Sequence, residues 1–404
     1  MPDKVQRYLL AGLLNDPASC FPAGSTLQQY ASFAAAETRW RAAQQDCRAY
    51  GFQAFDWLHT WQTQLGQRQG WQVCLFELSD AQDRTLLWLP LGLHRRRGMC
   101  ELSFLGGEIT DYNAPLIAPG FARELTPVAF AALWQAILKL AGRVDVVRFR
   151  RMPAHIEQLP NPFIGLAGMQ PTEQAHAAML PATYAEFQKS RSAKMFADTR
   201  RQLRRLQETG AVRLVRDATG AERTEVINGM ARQKARRWIE TGGHDLFLQP
   251  GYLDFYQHLA EHGLQGGAVQ VSALYVDQHL VATHWGIRYD QRCYWLMPGY
   301  EDGEWRRYSV GRILMDAILQ QCIEEQMRVF DLTVGDEAYK LQWADHTLAL
   351  YAGEQGLSWR GKILLALEHA YANLRARARD NQQLRNLVRR LRGARSAASN
   401  QSPH

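Results

Sequence analysis

R-V-F-D-L-T-V-G-D-E-A-Y-K-L-Q-W-A-D, residues Arg328 to Asp345, is the stretch on which the fold turns. Val329 to Val334 form a short apolar strand that breaks at Gly335. A polar turn follows. The next segment puts Tyr339, Lys340 and Trp343 on one helical face. Upstream, Tyr308-Ser309-Val310-Gly311-Arg312 opens an amphipathic helix, Ser309 to Gln326. Strand, glycine-bearing turn, helix, strand and charged turn thus succeed one another, with anion-binding chemistry at the helix start.

The pattern extends outward. Ala268–Val276 and His279–Tyr289 read as a hairpin around Asp277-Gln278, and Arg292–Tyr300 as a third strand disrupted at Pro298-Gly299. Before them come a basic helix (Thr183–Thr209), a strand (Ala211–Val215) and two helices (Thr224–Ile239, Tyr252–His262). Thr347–Ala352 starts a last hairpin. Residues 183–359 therefore make one lobe.

Residues 67–153 repeat the plan in simpler form. Val73–Leu78, Thr85–Leu91 and Met99–Leu105 are strands, Leu125–Leu140 is a helix with Pro127 at its first position, and Asp145–Phe149 is a strand. Residues 154–182, rich in Pro and Gly, read as a connector, and residues 1–66 as helical and loop-like. The expected fold class is α/β with a mixed sheet: two similar lobes in tandem, plus a basic helix over 360–404.

Bulk properties fit this division. A chain of 404 residues suits two domains, and 46% hydrophobic with 22% charged residues is ordinary for a globular protein. No run of ~18 apolar residues suggests a membrane-spanning helix. Tyr8–Leu14 follows Lys4 and Arg7 but is short for an export signal, and Pro17-Ala18-Ser19 before Cys20 fits a lipoprotein site poorly. A cytoplasmic location is expected. The six cysteines (Cys20, Cys47, Cys74, Cys100, Cys293, Cys322) include no C-x-x-C pair, so buried thiols and no metal are expected. From Arg360 onward ten basic residues face two acidic ones; of the chain's 47 and 40, that leaves 37 and 38 before it. The net charge of +7 therefore belongs to the tail.

On these residues the chain resembles the CelD/BcsL acetyltransferase family, named for cellulose biosynthesis and a branch of the GNAT superfamily. Phe52-Gln53 with Trp57 and Trp61 resembles its F-Q-x-x-x-W-L signature. Phe104-Leu105-Gly106-Gly107 with Asp111-Tyr112 resembles its F-L-G…D-Y element, and Phe187–Gly210 its basic helix. Ser309-Val310-Gly311 is similar to its S-P-G cofactor turn, with Val310 in place of proline, and Asp331–Trp343 to its D-L-x-x-G-D-x-x-Y-K-x-x-W block. The resemblance implies a double-lobed GNAT-type fold and an acyl-CoA donor (acetyl-CoA or longer). It does not name the acceptor. Family members are associated with exopolysaccharide and lipid modification, and similar proteins acylate sphingoid-base amines.

The site residues follow from both readings. Ser309, Val310, Gly311, Arg312 and Arg307 are the expected CoA-binding group: a Ser-capped helix start whose amides and dipole favour a diphosphate. Read alone, the segment is first a plain Ser-capped helix with solvated arginines; the strand before it and the D-L-x-x-G-D block after it turn the reading to cofactor binding. Acylation of an amine needs a proton acceptor, donors for the developing oxyanion and an acid for the leaving thiolate. Asp336 is a candidate base or orienting group, Lys340 an oxyanion or phosphate contact, and Tyr339 the acid. His284, mid-strand in alternation with Ala282 and Gly286, is a second candidate base or else a core histidine. Arg237-Trp238 and His244-Asp245 are candidates for the acceptor cleft.

The tail over 360–404 is amphipathic and basic, with Ile363, Leu364, Leu365, Leu367, Leu374, Leu384, Leu387 and Leu391. It suits an anionic membrane surface, or packs on its own lobe. Nucleic acid is disfavoured because interleaved aromatics for base stacking are missing. Two other functional classes remain open: a Fem-type transferase using aminoacyl-tRNA, and a non-catalytic accessory protein of exopolysaccharide or lipid assembly.

Overall fold

The structure, a computed structural model, describes residues 5–9, 21–96 and 98–380. One mixed sheet runs through both lobes. From one edge its strands are β1 (Val5–Leu9), β2 (Thr26–Tyr30), β3 (Trp71–Ser79), β4 (Thr85–Arg96), β5 (Met99–Phe104), β7 (Val146–Pro153), β16 (His346–Gly356), β10 (Gln170–Met179), β15 (Val329–Val334), β14 (Arg292–Tyr300), β13 (His279–Tyr289), β12 (Gly267–Val276) and β11 (Val212–Val215). The short β6 (Leu116–Ile117) pairs with β4, and β8 (His155–Ile156) with β9 (Leu159–Pro160) makes a separate small hairpin.

The two halves meet at β16. This late strand pairs antiparallel with β7 on one side and β10 on the other. Backbone hydrogen bonds therefore cross the boundary between lobes without a break.

Among the described residues eleven α-helices flank the sheet: α1 (Phe33–Asp46), α2 (Phe55–Trp61), α3 (Pro119–Glu124), α4 (Pro127–Leu140), α5 (Tyr184–Lys189), α6 (Ala193–Gln207), α7 (Gly220–Glu240), α8 (Tyr252–His262), α9 (Val310–Glu324), α10 (Lys340–Trp343) and α11 (Trp359–Asp380). One apolar core spans the first lobe and continues under α7 and α8; a second lies between the sheet and α6 and α9.

Each lobe contains a strand–helix–strand crossover with a parallel pair. In the first, β5 and β7 pair only at Glu101 with Val146 and Leu102 with Val147. In the second, β14 and β15 pair from Arg292 with Val329 to Tyr294 with Asp331. Beyond those points the arms splay. A non-glycine residue lies in the left-handed region on the far arm of each: Arg151 at φ 51° and Thr333 at φ 60°. For a β-branched residue this backbone is strained, and such strain persists only where its surroundings hold it.

The architecture is the expected mixed α/β tandem, with local differences. Residues 1–66 include β1 and β2, which extend the first lobe's sheet, so that segment is not only helices and loops. The Pro/Gly-rich connector contains β10, a central strand. Its exposed first half and buried Ala175–Ala178 do not alternate as a half-buried strand would. β16 is one long strand rather than the start of a hairpin, because β7 and β10 occupy both its edges. The apolar run to Leu14, Cys20, and the tail beyond Asp380 with Leu384, Leu387 and Leu391 lie outside the described residues.

Candidate active site at the splay of the second lobe

Helix α9 begins at the mouth of the second splay. Ser309 occupies the N-cap position, but in the left-handed conformation (φ 52°, ψ 45°), and its hydroxyl makes no capping bond. This differs from the expected Ser cap. The Ser309 carbonyl accepts from Arg312 and Ile313, while the N–H groups of Val310 and Gly311 have no partner among the described residues. Two amides and the positive end of a 15-residue helix therefore face outward together. A Cβ at Gly311 would sit 3.3 Å from the Tyr300 ring, so glycine keeps the approach clear.

These groups edge a slot of about 280 Å³ between the outer part of β14, the head of α9 and the segment that follows β15. Trp295, Pro298 and Tyr300 of β14 form one wall; Met315 of α9, Tyr339 and Trp343 close the others. The slot is apolar along its length and polar at its α9 end, which suits a long chain terminating in a diphosphate. Arg306 and Arg312 also line it. Arg312 is held by Asp198 of α6, which also binds Arg201. Arg307 lies outside the slot, its guanidinium 4.9 Å from the Tyr308 ring. Arg205 approaches the same ring from α6 at 6.0 Å, so the basic helix and the α9 entrance share one positive surface.

The expected catalytic residues fall at different depths. Tyr339 lines the slot and is 36% exposed. Burial, then the charge of Glu337, raises its phenol above the ordinary value, so it stays protonated at neutral pH. Lys340 is 3% exposed; its ammonium donates to the Val334 carbonyl at 2.6 Å and pairs with Glu337 at 2.9 Å. Asp336 stands at the surface and accepts from the buried His176 of β10 at 3.2 Å, whose other ring nitrogen meets Thr347. His284 is fully buried, stacked on Trp295 at 4.0 Å, with no hydrogen-bond partner on either ring nitrogen. Burial pushes it down to about 3, so the ring is neutral at physiological pH.

Residues not foreseen from the sequence complete the neighbourhood. Asp111, from the first lobe, reaches across to Thr333 and toward Lys340; burial raises its carboxyl, against the pull of Arg151, Thr333 and Lys340. Lys234 of α7 faces the same cluster. Its ammonium is pushed down to about 8, chiefly by burial, with Lys340 and Arg237 adding to the effect and Glu337 and Asp111 opposing it. Tyr112 donates to Asp331 at 2.7 Å, and Arg292 pairs with the same carboxylate at 2.8 Å. Gln53 donates to the Tyr112 carbonyl, and Phe52 packs edge-on against Tyr112 and Tyr294. Three motifs far apart in sequence (Phe52-Gln53, Asp111-Tyr112, Asp331-Leu332) thus meet at the boundary between lobes. Arg237-Trp238 and His244-Asp245 lie elsewhere on α7 and the loop after it: Trp238 stacks on Phe247, and Asp245 caps the turn at Phe247.

Among the described residues no group of His, Cys, Asp and Glu is arranged to hold a metal ion, and no helix is long and apolar enough to cross a membrane.

Comparison with known proteins agrees with this geometry. Residues 193–341, from α6 through the slot to α10, match the Acetyltransferase (GNAT) domain. No curated protein matches the sequence. The structure of FemX superposes with a TM-score of 0.56 at 10% identity, covering 78% of this chain and 95% of its own. A tandem GNAT protein from the clavulanic acid biosynthesis pathway gives 0.43 at 11% identity, covering 87% and 98%. The C-terminal domain (DUF2156) of a putative lysylphosphatidylglycerol synthetase from Agrobacterium fabrum gives 0.46 at 11%, covering 83% and 96%. Residues 193–341 thus match a GNAT acetyltransferase domain, and the chain as a whole shares its fold with FemX.

Proposed function

We propose that this protein is an acyl-CoA-dependent N-acyltransferase of the CelD/BcsL kind, acting on an amine of a polysaccharide or lipid precursor, sphingoid-base-like amines included. One observation carries the reading: two free amides at the head of α9 open one end of a slot whose other side meets Tyr339, the residue before Lys340. The amides of Val310 and Gly311, at the turn set by Ser309, hold the CoA diphosphate, and Arg312 and Arg307 add positive charge. A thioester donor bound there supplies the activated carbonyl. Lys340 offsets negative charge that develops on the carbonyl oxygen. Tyr339, kept protonated by its surroundings, gives its proton to the departing thiolate. Asp111 takes the proton of the amine, and Asp336, held by His176, orients the amine from the surface. His284 supports Trp295 from behind rather than touching the acceptor.

The tail reading carries over as part of this proposal. In α11, Trp359, Ile363, Leu367, Tyr371 and Leu374 recur at helical spacing and are 51% to 68% exposed. With the arginines that follow, this face suits the surface of an anionic bilayer. Peripheral attachment there would bring a cytoplasmic enzyme to a lipid-linked acceptor.

Thermal melts with acetyl-CoA and with a long-chain acyl-CoA test the donor. A ligand that binds only the folded state raises the melting temperature in proportion to ln(1 + [L]/Kd). A shift in the natural protein that vanishes in Gly311→Asp is expected. No shift at millimolar concentration of either CoA ester overturns the reading. A shift with an aminoacyl-RNA hairpin in its place would indicate a Fem-type donor, and none with any donor an accessory protein.

A further inference from the structure

A wide cavity on the first lobe plays no part in the mechanism above. It encloses about 1280 Å³ on the first lobe, beside the splay of β5 and β7, and reaches the second lobe at Leu246, Gln249 and Tyr252. Its charge is uneven. Arg95, Arg96, Arg148, Arg150 and Arg151 line it, against Glu101, Glu108 and Glu173.

The inner arginines are neutralised. Arg148 pairs with Glu101, Glu354 and Glu368, and Arg151 with Asp111 and Glu173. The outer three are not. Arg95, Arg96 and Arg150 are exposed and meet no carboxylate within ion-pair distance among the described residues. Three guanidinium groups around one concavity concentrate positive potential, and each presents the planar fork that fits phosphate oxygens. The floor is different in kind: Trp71 stacks on His94 at 4.9 Å, offering a flat apolar face.

The cavity also leads to the active site. Glu108, Ile109 and Asn113 line it, and they belong to the loop that carries Asp111. Arg151 fixes that loop, donating to the carbonyls of Glu108 and Thr110 and to the Asp111 carboxylate at 3.2 Å. Asp111 then faces Thr333 and Lys340 of the second lobe. A ligand seated against the outer arginines can therefore extend along one wall to the carboxylate that faces the amine.

We propose that this cavity binds the phosphate-bearing portion of the amine acceptor, so that the first lobe is the acceptor lobe and the substrate is a phosphorylated amine. The amine half of this statement rests on the acyltransferase reading; the phosphate half rests on the arginines alone. A sugar phosphate and a phospholipid headgroup share this chemistry, and the flat face of Trp71 and His94 serves a sugar ring as readily as an acyl stem.

The test uses the full chain and two pairs of probes. Binding of glucosamine 1-phosphate is compared with glucosamine by calorimetry, and micellar lysophosphatidylethanolamine with its phosphate-free monoacylglycerol counterpart. At least a tenfold preference for one phosphorylated member is expected, and the preferred pair identifies sugar or lipid as the source. Replacing Arg95, Arg96 and Arg150 with Gln should erase the preference while leaving the acyl-CoA thermal shift unchanged, which also shows that the variant is folded. No preference in the natural protein, or a preference that survives the triple replacement, overturns the proposal. A preference that depends on the arginines in a protein that ignores acyl-CoA keeps the phosphate site and removes the acyltransferase reading instead.

Discussion

The two splays differ in what fills them. In the second lobe the gap beyond Tyr294 and Asp331 is open. In the first, the gap beyond Leu102 and Val147 is closed on the α4 side by Phe163, fully buried among Phe104, Phe149, Phe130 and Trp134 at ring distances of 4.9 to 5.5 Å. The crossover helices differ in the same sense. At the start of α9 the Ser309 hydroxyl is disengaged and two amides are free. At the start of α4 Pro127 has no N–H to offer, and the Thr126 hydroxyl takes the amide of Ala129. One fold unit, used twice, is thus an open slot in one copy and a packed core in the other. The plugged copy keeps what serves the open one: a loop bearing Asp111 and Tyr112, held by Arg151.

Cutting the link between the copies should have the largest effect. Asp331 is buried and accepts from Tyr112, Arg292 and the Thr333 amide. Asp331→Ala strands the Arg292 guanidinium, and loss of one partner of a buried pair costs about 3–5 kcal/mol. Urea unfolding should show a loss of that order, with a single transition if the shared sheet keeps the lobes cooperative. A loss under about 1 kcal/mol would mean that this buried pair contributes little to holding the lobes together. Phe163→Ala should cost about 3–5 kcal/mol as well, through lost burial and a residual cavity. It should not create a second donor site, because Pro127 brings no N–H to the head of α4 and Thr126 engages that of Ala129, so no adjacent pair of free amides is left. Calorimetry that finds two equivalents of acyl-CoA bound to this variant would show that the plug alone separates the copies.

Gly311→Asp acts on the open slot only. Its side chain enters the space near Tyr300 and places a carboxylate where the diphosphate is proposed to sit. At least a tenfold rise in the dissociation constant for acyl-CoA is expected (about 1.4 kcal/mol), with an unchanged circular dichroism spectrum. Unchanged affinity in the folded variant removes the cofactor assignment.

Lys234 gives a smaller, pH-dependent signature. Its folded pKa is lowered to about 8, below the ordinary lysine value, so between those two the unfolded chain holds the proton more tightly. Stability contributed at this site therefore rises with pH across that window and is least below it. Lys234→Met should melt higher than the natural protein at pH 7, and the difference should shrink by pH 10. A difference independent of pH would mean that the ammonium is not desolvated in the folded state.

How much of this could be read from the chain follows from how each part is encoded. The slot was legible because it is local: Ser309 to Arg312 and Tyr339 to Trp343 flank one strand, and helix and strand periods place them. Asp111, Lys234 and His176 were not, since they arrive from a loop, a helix and a strand whose convergence no spacing records. β10 was hidden by composition, because Gln170–Met179 is built of Ala, Gln and Glu and is a strand only through its neighbours β15 and β16. His284 was legible as a buried strand position but not as a ring sealed behind Trp295. Phe163, in a Pro/Gly-rich connector, carried no sign that it fills a gap between β5 and β7.

The smallest effect on the core should come from the tail, and it depends on where the chain is cut. Ser358 donates to Asp145, a Cβ at Gly361 would lie 1.9 Å from the Asp145 carbonyl, and Leu365 is buried. Glu368 and His369 then reach Arg148 and Glu354. The first turns of α11 are therefore anchored on the first lobe and the seam, not on the second lobe. A cut after Gly361 removes Leu365, Glu368 and His369 and should lower the melting temperature. A cut after His369 keeps them while removing Tyr371, Leu374 and eight arginines. That protein should melt as the full chain does and keep its acyl-CoA shift. If the tail docks on anionic bilayers, each arginine near the surface contributes roughly 1 kcal/mol, so the shorter cut should abolish vesicle binding. Binding of the full chain should also weaken steeply between low and physiological salt, as screening of exposed charges requires. Full-length protein that ignores phosphatidylserine vesicles at low salt would leave the exposed face of α11 for a protein partner and detach the membrane from the function proposed here.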